Sequence, residues 1–310
     1  MIEREHLVSV ILPTYYRNDA LSGAIESVFQ QTHNPVELIV VDDSGEAHAK
    51  PVVERFDDLT YVPLEENRGA QGARNAGLEL ASGEYVQFMD DDDRLHPEKF
   101  TKQVPELTAD VGVVYAGFEI IETGEVHSPK PGYRGDVLRE AVRMRLYPCS
   151  NCTMLMDASA LNELAPLDNE HAADDLDLMI QLAKRTRFEY VDEPLSYVRE
   201  EMDDSLGKSW ANLRARKHVV EKHADIYDRF PAAIKRQTLS DIYRLEAQMH
   251  MDERAWSPQA IAAFGRSAAH ARADKVGRTV EFLSSFFGDP GLAFAQQFRR
   301  LCSRYLIKDN

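Results

Sequence analysis

The sequence predicts an α/β fold: a mostly parallel β-sheet flanked by helices, followed by a helical C-terminal extension. Two observations carry this expectation. Short runs of Val, Ile and Leu alternate with longer segments whose apolar residues recur every three or four positions, the β-α-β signature of a parallel sheet. Aspartates stand at the ends of two of these runs, at Asp42-Asp43 and at Asp90-Asp91-Asp92-Asp93. In parallel sheets ligands bind outside the carboxyl ends of the strands, so the two acidic clusters are expected to share one crevice.

Each element has its own signal. Leu7 to Pro13 (LVSVILP) is a β-branched apolar run, as in a strand buried on both faces. Asn18 or Asp19 is placed to cap a helix whose Leu21, Ala24, Ile25, Val28 and Phe29 share one face. Pro35 ends the connection, and Glu37 to Val41 reads as a second strand, Thr60 to Leu64 as a third. Gln71 to Ala81 is alanine-rich and helical, with Gly83 in position for a C-terminal cap. Tyr85 to Met89 is the next strand, ending in the four aspartates. Further strands are expected at Val111 to Ile121, Thr153 to Met156 and Tyr190 to Val198, the last interrupted at Pro194, with a helix at Asp174 to Lys184. From Leu206 the chain turns helical, with breaks near Pro231, Pro258 and Gly288–Pro290. The division is therefore 1–205 and 206–310.

Composition narrows the function. The 310 residues are 44% apolar, enough for a substantial core, and carry a formal charge of −16. A nucleic-acid binder needs a basic face, so no nucleic-acid partner is expected. Lysine is scarce, 11 against 25 arginines. A diffusely acidic, lysine-poor surface stays hydrated in high salt and points to a salt-adapted organism. The opening MIEREHLVSVILP lacks the pattern of a secretory signal, and no window reaches the ~20 apolar residues of a membrane span. The protein is expected to be cytoplasmic, soluble or peripherally attached. Cys149, Cys152 and Cys302 lack the companions of a zinc site and read as small buried residues.

Four adjacent carboxylates repel one another, so a cation is their natural partner. In an extended segment Asp90 and Asp92 would face one way and Asp91 the other. Two carboxylates on one side suit Mg²⁺ or Mn²⁺, with water and ligand phosphate oxygens completing the shell. The alternative is a solvated acidic turn. Context favours the site: the first strand leads into Pro13-Thr14-Tyr15-Tyr16-Arg17-Asn18, the second into Asp42-Asp43-Ser44-Gly45, and Asn67-Arg68-Gly69-Ala70-Gln71-Gly72-Ala73-Arg74-Asn75-Ala76-Gly77 precedes the tetrad. This order resembles the inverting family 2 glycosyltransferases of the GT-A fold, in particular those of haloarchaeal surface-glycan and N-glycosylation assembly, over roughly residues 7 to 100.

The resemblance implies roles. Residues 1–110 would form the donor-binding half and 111–205 the acceptor and base half of a GT-A domain. Pro13, Thr14 and Tyr16 would line the nucleotide pocket, with Asp42 near the base, Asp43 behind it and Asn67 nearby. Many relatives have D-D-G-S at the second strand, where this chain has Asp42-Asp43-Ser44-Gly45. Arg74 would lie beside the diphosphate or the aspartates. Asp91 would face the ribose or sugar, and Asp92 would bind the divalent metal, with Asp90 a second candidate in either role. His171-Ala172-Ala173-Asp174-Asp175-Leu176-Asp177-Leu178 resembles the family's base segment, which makes Asp175 the catalytic base with Asp174 in support. Aspartates at a helix start also act as plain caps. Tyr147 to Thr153 is the expected acceptor loop. Pro194 to Glu200 resembles the closing P-L-x-x-Y-R-x-H, with Arg199 as a diphosphate contact and Glu200 where histidine is common.

The implied activity is transfer of a hexose or hexuronic acid from a nucleoside diphosphate, UDP in many relatives, to a glycan on a polyprenyl phosphate lipid. A non-catalytic nucleotide- or glycan-binding protein of the same fold is the alternative. A nucleotidyltransferase is disfavoured because no glycine-rich basic loop follows the first strand, and an aspartyl phosphatase because its D-x-D would follow that strand. Pro290 to Asn310 carries Phe294, Phe298, Leu301 and Tyr305 on one face with Arg299, Arg300, Arg304 and Lys308. Such a helix suits either a membrane surface beside a lipid-linked acceptor or packing on the rest of the chain.

Overall fold

The computed structural model describes residues 6–168, 172–199 and 209–306, with side chains through 297. Two compact units divide the chain, 1–205 and 206–310. Glu200 and His171 lie outside the described residues, as do the side chains of Phe298, Arg299, Arg300, Leu301, Cys302, Arg304 and Tyr305 and all of Lys308.

The first unit is organised by β1 (Val8–Thr14), in which all seven residues are buried, as a strand covered on both faces requires. It pairs in parallel with β2 (Val36–Asp42) on one side, which pairs in parallel with β3 (Thr60–Pro63). On its other side β1 pairs in parallel with β4 (Tyr85–Phe88). Helices α1 (Asn18–Phe29), α2 (Lys50–Val53) and α3 (Gly69–Leu78) make the crossovers. Short β5 (Arg94–Leu95) and α4 (Lys99–Gln103) follow the tetrad, then β6 (Val111–Ile120), β7 (Val126–His127), α5 (Leu138–Val142), β8 (Leu155–Asp157), α6 (Ala158–Asn162), α7 (Asp174–Ala183) and β9 (Arg187–Val198). The nine strands form one mixed sheet in the order β3-β2-β1-β4-β8-β6-β9-β5, with β7 on β6. Because β1, β2 and β4 run in register, Thr14, Asp42 and the residues after Phe88 reach one rim.

Local chemistry moves several expected boundaries. Asn18 does not cap α1 with its side chain; it begins the helix, and its amide donates to the His48 carbonyl at 3.0 Å, tying α1 to the loop after β2. Gly83 does not cap α3, which ends at Leu78. Its missing Cβ would sit 2.6 Å from the Leu7 carbonyl oxygen and the Ser9 hydroxyl, so it is a close approach to β1. Pro194 does not interrupt β9. The pairing with β6 jumps from Ala116–Val191 to Gly117–Pro194, and the irregularity absorbs the proline's missing donor.

The second unit contains α8 (Trp210–Lys222), α9 (Ala224–Tyr227), α10 (Ala233–Glu253), α11 (Pro258–His270), α12 (Lys275–Ser285) and α13 (Gly288–Leu306). Starts are set by caps: Ser209, Ser257 and Asp274 accept from the N–H groups of Asn212, Ala260 and Gly277. Pro258 occupies the first turn of α11, where its missing N–H has no cost. Pro290 lies in the first turn of α13 after Gly288 (φ +63°), so the break precedes the proline. Ala247, Met251, Ala260, Ala263 and Phe264 form a small core.

Gly77 on α3 allows the helix to touch the sheet. A Cβ there would lie 2.4 Å from Ile11 Cγ2 and 3.2 Å from Val41 Cγ2, both core residues. Gly77→Ala should therefore lower stability by about 1–3 kcal/mol despite alanine's better helix propensity, read as a drop in the denaturant midpoint.

Candidate active site

The rim of β1, β2 and β4 gathers the acidic residues. The tetrad is a turn rather than an extended segment: the Asp93 N–H donates to the Asp90 carbonyl at 3.2 Å. Its side chains consequently take separate directions instead of simple alternation. Asp91 is buried, accepts from the Thr14 hydroxyl at 2.7 Å and lies 3.4 Å from Arg17 Nη1. Asp92 takes the stronger pair with Arg17, at 2.7 Å. Asp93 points inward and accepts from the Arg199 N–H at 3.2 Å. Asp90 is half-exposed and pairs with Arg74 at 2.7 Å. Burial pushes the Asp91 carboxyl up to about 6, with Thr14 and Arg17 opposing the shift. Burial and then the Asp90 charge also raise Asp92 and Asp93.

At the end of β2 the two aspartates differ. Asp42 accepts from the Ser44 N–H (3.0 Å), the Ala49 N–H (2.7 Å) and the Tyr61 hydroxyl (2.7 Å). Burial works against its charge, but these hydrogen bonds hold its carboxyl below the ordinary range. Its carboxylate thus organises its own loop. Asp43 accepts from the Arg68 N–H at 2.7 Å, and burial raises its carboxyl. Asn67 is exposed and accepts from the Gly69 N–H, turning the chain into α3. Pro13 is buried on β1. Tyr16 is exposed, lies in the left-handed region (φ 55°), and places its ring 4.7 Å from those of Tyr15 and His48.

Arg74 joins this rim to the start of α7, the expected base segment. Its side chain is buried, lies over the Phe88 ring at 5.9 Å, and pairs with both Asp90 and Asp174. Burial works against its charge, and Asp174, Asp90 and Asp175 more than restore it. The guanidinium is thus an internal clamp rather than a surface ion pair. Asp174 also receives the Asn151 amide at 3.4 Å, which adds the expected acceptor loop to the cluster. Asp175 is half-buried in the first turn of α7 and accepts from the Leu176 N–H at 2.8 Å. Ala172 and Ala173 enter that helix with φ of 72° and 54°, a strained approach for alanine. Arg199 places its guanidinium 3.8 Å from Glu122, and its charge reaches Asp92.

Buried donors fix the loop before β8. Gln87 donates to the Asn151 carbonyl (2.8 Å), Ser196 to that of Cys152 (2.9 Å), and both Lys99 and Gln103 to that of Thr153 (3.0 Å each). Cys149 and Cys152 are buried and free, and burial raises both thiols well above their ordinary range. Lys99 is fully buried, and burial lowers its ammonium to about 7. Sequence reasoning missed Arg17, Gln87, Lys99 and Gln103. Arg17 directly follows the Pro13–Tyr16 motif and was open to notice, whereas Lys99 carries no local sign of burial.

A profile described as glycosyl transferase family 2 matches residues 9–164, half of the chain. The chain belongs to that family. The chain is 39% identical over 102 residues to the putative teichuronic acid biosynthesis glycosyltransferase TuaG of Bacillus subtilis, a match covering 32% of this chain and 40% of TuaG. It is 34% identical over 125 residues to the UDP-Glc:alpha-D-GlcNAc-diphosphoundecaprenol beta-1,3-glucosyltransferase WfgD of Escherichia coli, covering 39% and 49%. The chain therefore spans half or less of the length of these relatives. The fold resembles S. aureus TarS 1-349 in complex with UDP-GlcNAc, with TM-score 0.65 and 17% identity over 96% of this chain and 91% of that one. It also resembles the mannosyltransferase PcManGT of Pyrobaculum calidifontis in complex with GDP-Man and Mn²⁺ (TM-score 0.56, 21% identity, 93% and 83% covered). These likenesses establish the GT-A fold.

The PcManGT complex contains Mn²⁺. Among the described residues no group of three or more His, Cys, Asp or Glu side chains is placed to hold a metal. A site of one or two carboxylates completed by water and phosphate oxygens is how Mg²⁺ is usually held beside a nucleotide. Asp92 and Asp90 are the carboxylates expected to supply such a half-site; in this structure they pair with Arg17 and Arg74, at 2.7 Å each.

Two predictions follow from the burial of Arg74 and Lys99. Arg74→Leu leaves Asp90 and Asp174 without their common partner and should destabilise the fold by about 3–5 kcal/mol, whereas the triple variant with Asp90→Asn and Asp174→Asn should recover part of that loss in chemical denaturation. Lys99 binds its proton less tightly folded than unfolded, so its contribution raises stability between pH 7 and its ordinary range near 10.5. Unfolding free energies should show Lys99→Met gaining most over wild type below pH 7, by several kcal/mol on the order of 4, and losing that advantage as pH rises towards 10.

Proposed function

We propose that the protein is a metal-dependent inverting glycosyltransferase that moves a hexose or hexuronic acid from UDP to a glycan on a polyprenyl phosphate lipid. The observation that carries this reading is the Arg74 clamp, which joins the donor-side Asp90 to Asp174, the neighbour of the assigned base. Donor chemistry and acceptor chemistry then share one crevice. The names of WfgD and of the TarS complexes support a UDP-sugar, and that of WfgD a diphosphopolyprenol acceptor. The acidic, lysine-poor composition supports a salt-adapted host, with surface or N-linked glycan assembly at the cytoplasmic face of its membrane as the setting.

In this reading Pro13, Thr14, Tyr16, Asp42, Asp43 and Asn67 shape the nucleotide side, with Asp91 next to the ribose or sugar. Asp92, with Asp90, would hold Mg²⁺ or Mn²⁺, which supplies Lewis-acid neutralisation of the departing diphosphate. Arg199 and Arg74 add positive charge on the same side. Asp175 takes the proton from the acceptor hydroxyl. The resulting oxygen attacks the anomeric carbon opposite the leaving group, so a single displacement inverts the configuration, as in inverting hydrolysis. Its place in the first turn of α7 sets Asp175 at the positive end of the helix dipole.

The test is transfer from a panel of UDP-sugars to polyprenyl-diphosphate-linked acceptors. Wild type should produce a lipid-linked product of inverted configuration, and Asp175→Asn should lower kcat by on the order of 10³ with the donor KM little changed. Undiminished turnover in Asp175→Asn would remove the assigned base. UDP binding without transfer to any acceptor would favour a non-catalytic nucleotide-binding protein.

A further inference from the structure

Among the described residues three arginines reach the aspartate tetrad, and they are held very differently. Arg74 is locked: 4% of its side chain is exposed, two carboxylates clamp it and it lies over the Phe88 ring. Arg199 sends its backbone N–H to Asp93, while its guanidinium lies against Glu122. Arg17 sets its guanidinium on the two central aspartates, with Nη1 2.7 Å from Asp92 Oδ2 and 3.4 Å from Asp91 Oδ1. Its side chain is 26% exposed, so water reaches this pair. Both contacts run through Nη1, and they fall short of the bidentate fork that arginine forms with a carboxylate or a phosphate. A partly exposed pair of this kind is weak enough to change partners.

Helix capping does not account for this placement. Arg17 is the residue before α1, and its side chain makes no hydrogen bond to the first turn. Its carbonyl does, accepting from the Ala20 and Leu21 N–H groups at 3.1 Å each. Between Thr14 and Arg17 the left-handed Tyr16 (φ 55°) turns the chain, so that both side chains converge on one pair of carboxylates. Backbone strain of that kind is common where a side chain is held for function. The Thr14 hydroxyl takes Asp91 Oδ2, and Arg17 takes Asp92 Oδ2. Asp92 is also the carboxylate proposed to bind the divalent ion, so two cations compete for it, and at that range they repel one another. A hard divalent ion prefers carboxylate oxygens, whereas a guanidinium is served equally well by a phosphate. An exchange of partners therefore leaves every charge matched.

We infer that Arg17 is an exchangeable counter-ion of the rim: its guanidinium yields Asp92 to the divalent cation and pairs instead with the diphosphate of the donor. Arg17 then couples the two ligands. The cation releases the arginine that the diphosphate needs, and each ligand raises the affinity of the other by the same factor. The inference rests on the proposed donor site and adds to it a residue outside the expected set.

The experiment is calorimetric titration of Mn²⁺ alone, and of UDP in saturating Mn²⁺, into wild type, Arg17→Met and Arg17→Lys. Arg17→Met removes both the competitor at Asp92 and the partner of the diphosphate. It should bind Mn²⁺ alone about fivefold more tightly, and UDP with Mn²⁺ about tenfold more weakly. These opposite signs are the mark of exchange. UMP, which has no β-phosphate, should lose less affinity than UDP. Arg17→Lys keeps the charge without the fork and should fall between wild type and Arg17→Met in both titrations, which preserves the test if Arg17→Met does not fold. An arginine that only braces the tetrad predicts the loss of both affinities, and a fixed counter-ion predicts tighter Mn²⁺ with no loss of UDP. Either result, or unchanged affinities, would overturn the inference while wild-type binding of UDP with Mn²⁺ leaves the donor site standing. Wild type that binds neither Mn²⁺ nor UDP would overturn the donor-site reading and the inference with it.

Discussion

Arg74 carries its positive charge into a place with almost no water and meets two carboxylates there, from segments far apart in the chain. Asp90 comes from the rim of β4 and Asp174 from the start of α7, 84 residues later in the chain. An isolated guanidinium at that depth would be prohibitively costly, so it requires carboxylate partners. The three charges therefore fix one another. Any arrangement that separates the two halves of the first unit at this point leaves a buried charge without a partner. This constraint gives the crevice a single geometry.

Around that clamp the chain accepts strain and buried polarity that a purely structural core would avoid. Tyr16, two residues after Thr14, and Ala172 and Ala173, which lead into α7, hold left-handed backbone conformations. Lys99, Gln87 and Gln103 sit in the interior to hold carbonyls of the 148–153 loop, and Lys99 does so at the expense of its own protonation. These features make sense together. They aim Asn151 at Asp174 and bring Asp175 into a first helical turn, where the dipole favours its charge.

Much of this was legible in the sequence. The buried strands, the crossover helices and the rim aspartates followed from apolar period and the position of charges, because parallel strands must bury both faces and leave their carboxyl ends free. The directions of Asp90 to Asp93 were not, since alternation assumes an extended chain and the tetrad turns. Gly83 looks like a helix cap when the alanine-rich segment is carried to Ala81, yet α3 ends at Leu78 and the glycine's role is a tertiary approach to β1 that no local pattern encodes. Arg74 was read as a site residue from its motif, but its pairing with Asp174 joins distant segments and only the fold reveals it.

We propose that the rim aspartates hold a divalent ion which in turn holds a nucleoside diphosphate. Calorimetric titration of UDP into wild type and Asp92→Ala, each with Mn²⁺ or with chelator, tests it most directly. Binding by wild type that requires Mn²⁺, and that Asp92→Ala loses, is the predicted result. Equal binding in chelator, or full affinity in Asp92→Ala, would contradict the account and move the diphosphate contacts to the arginines.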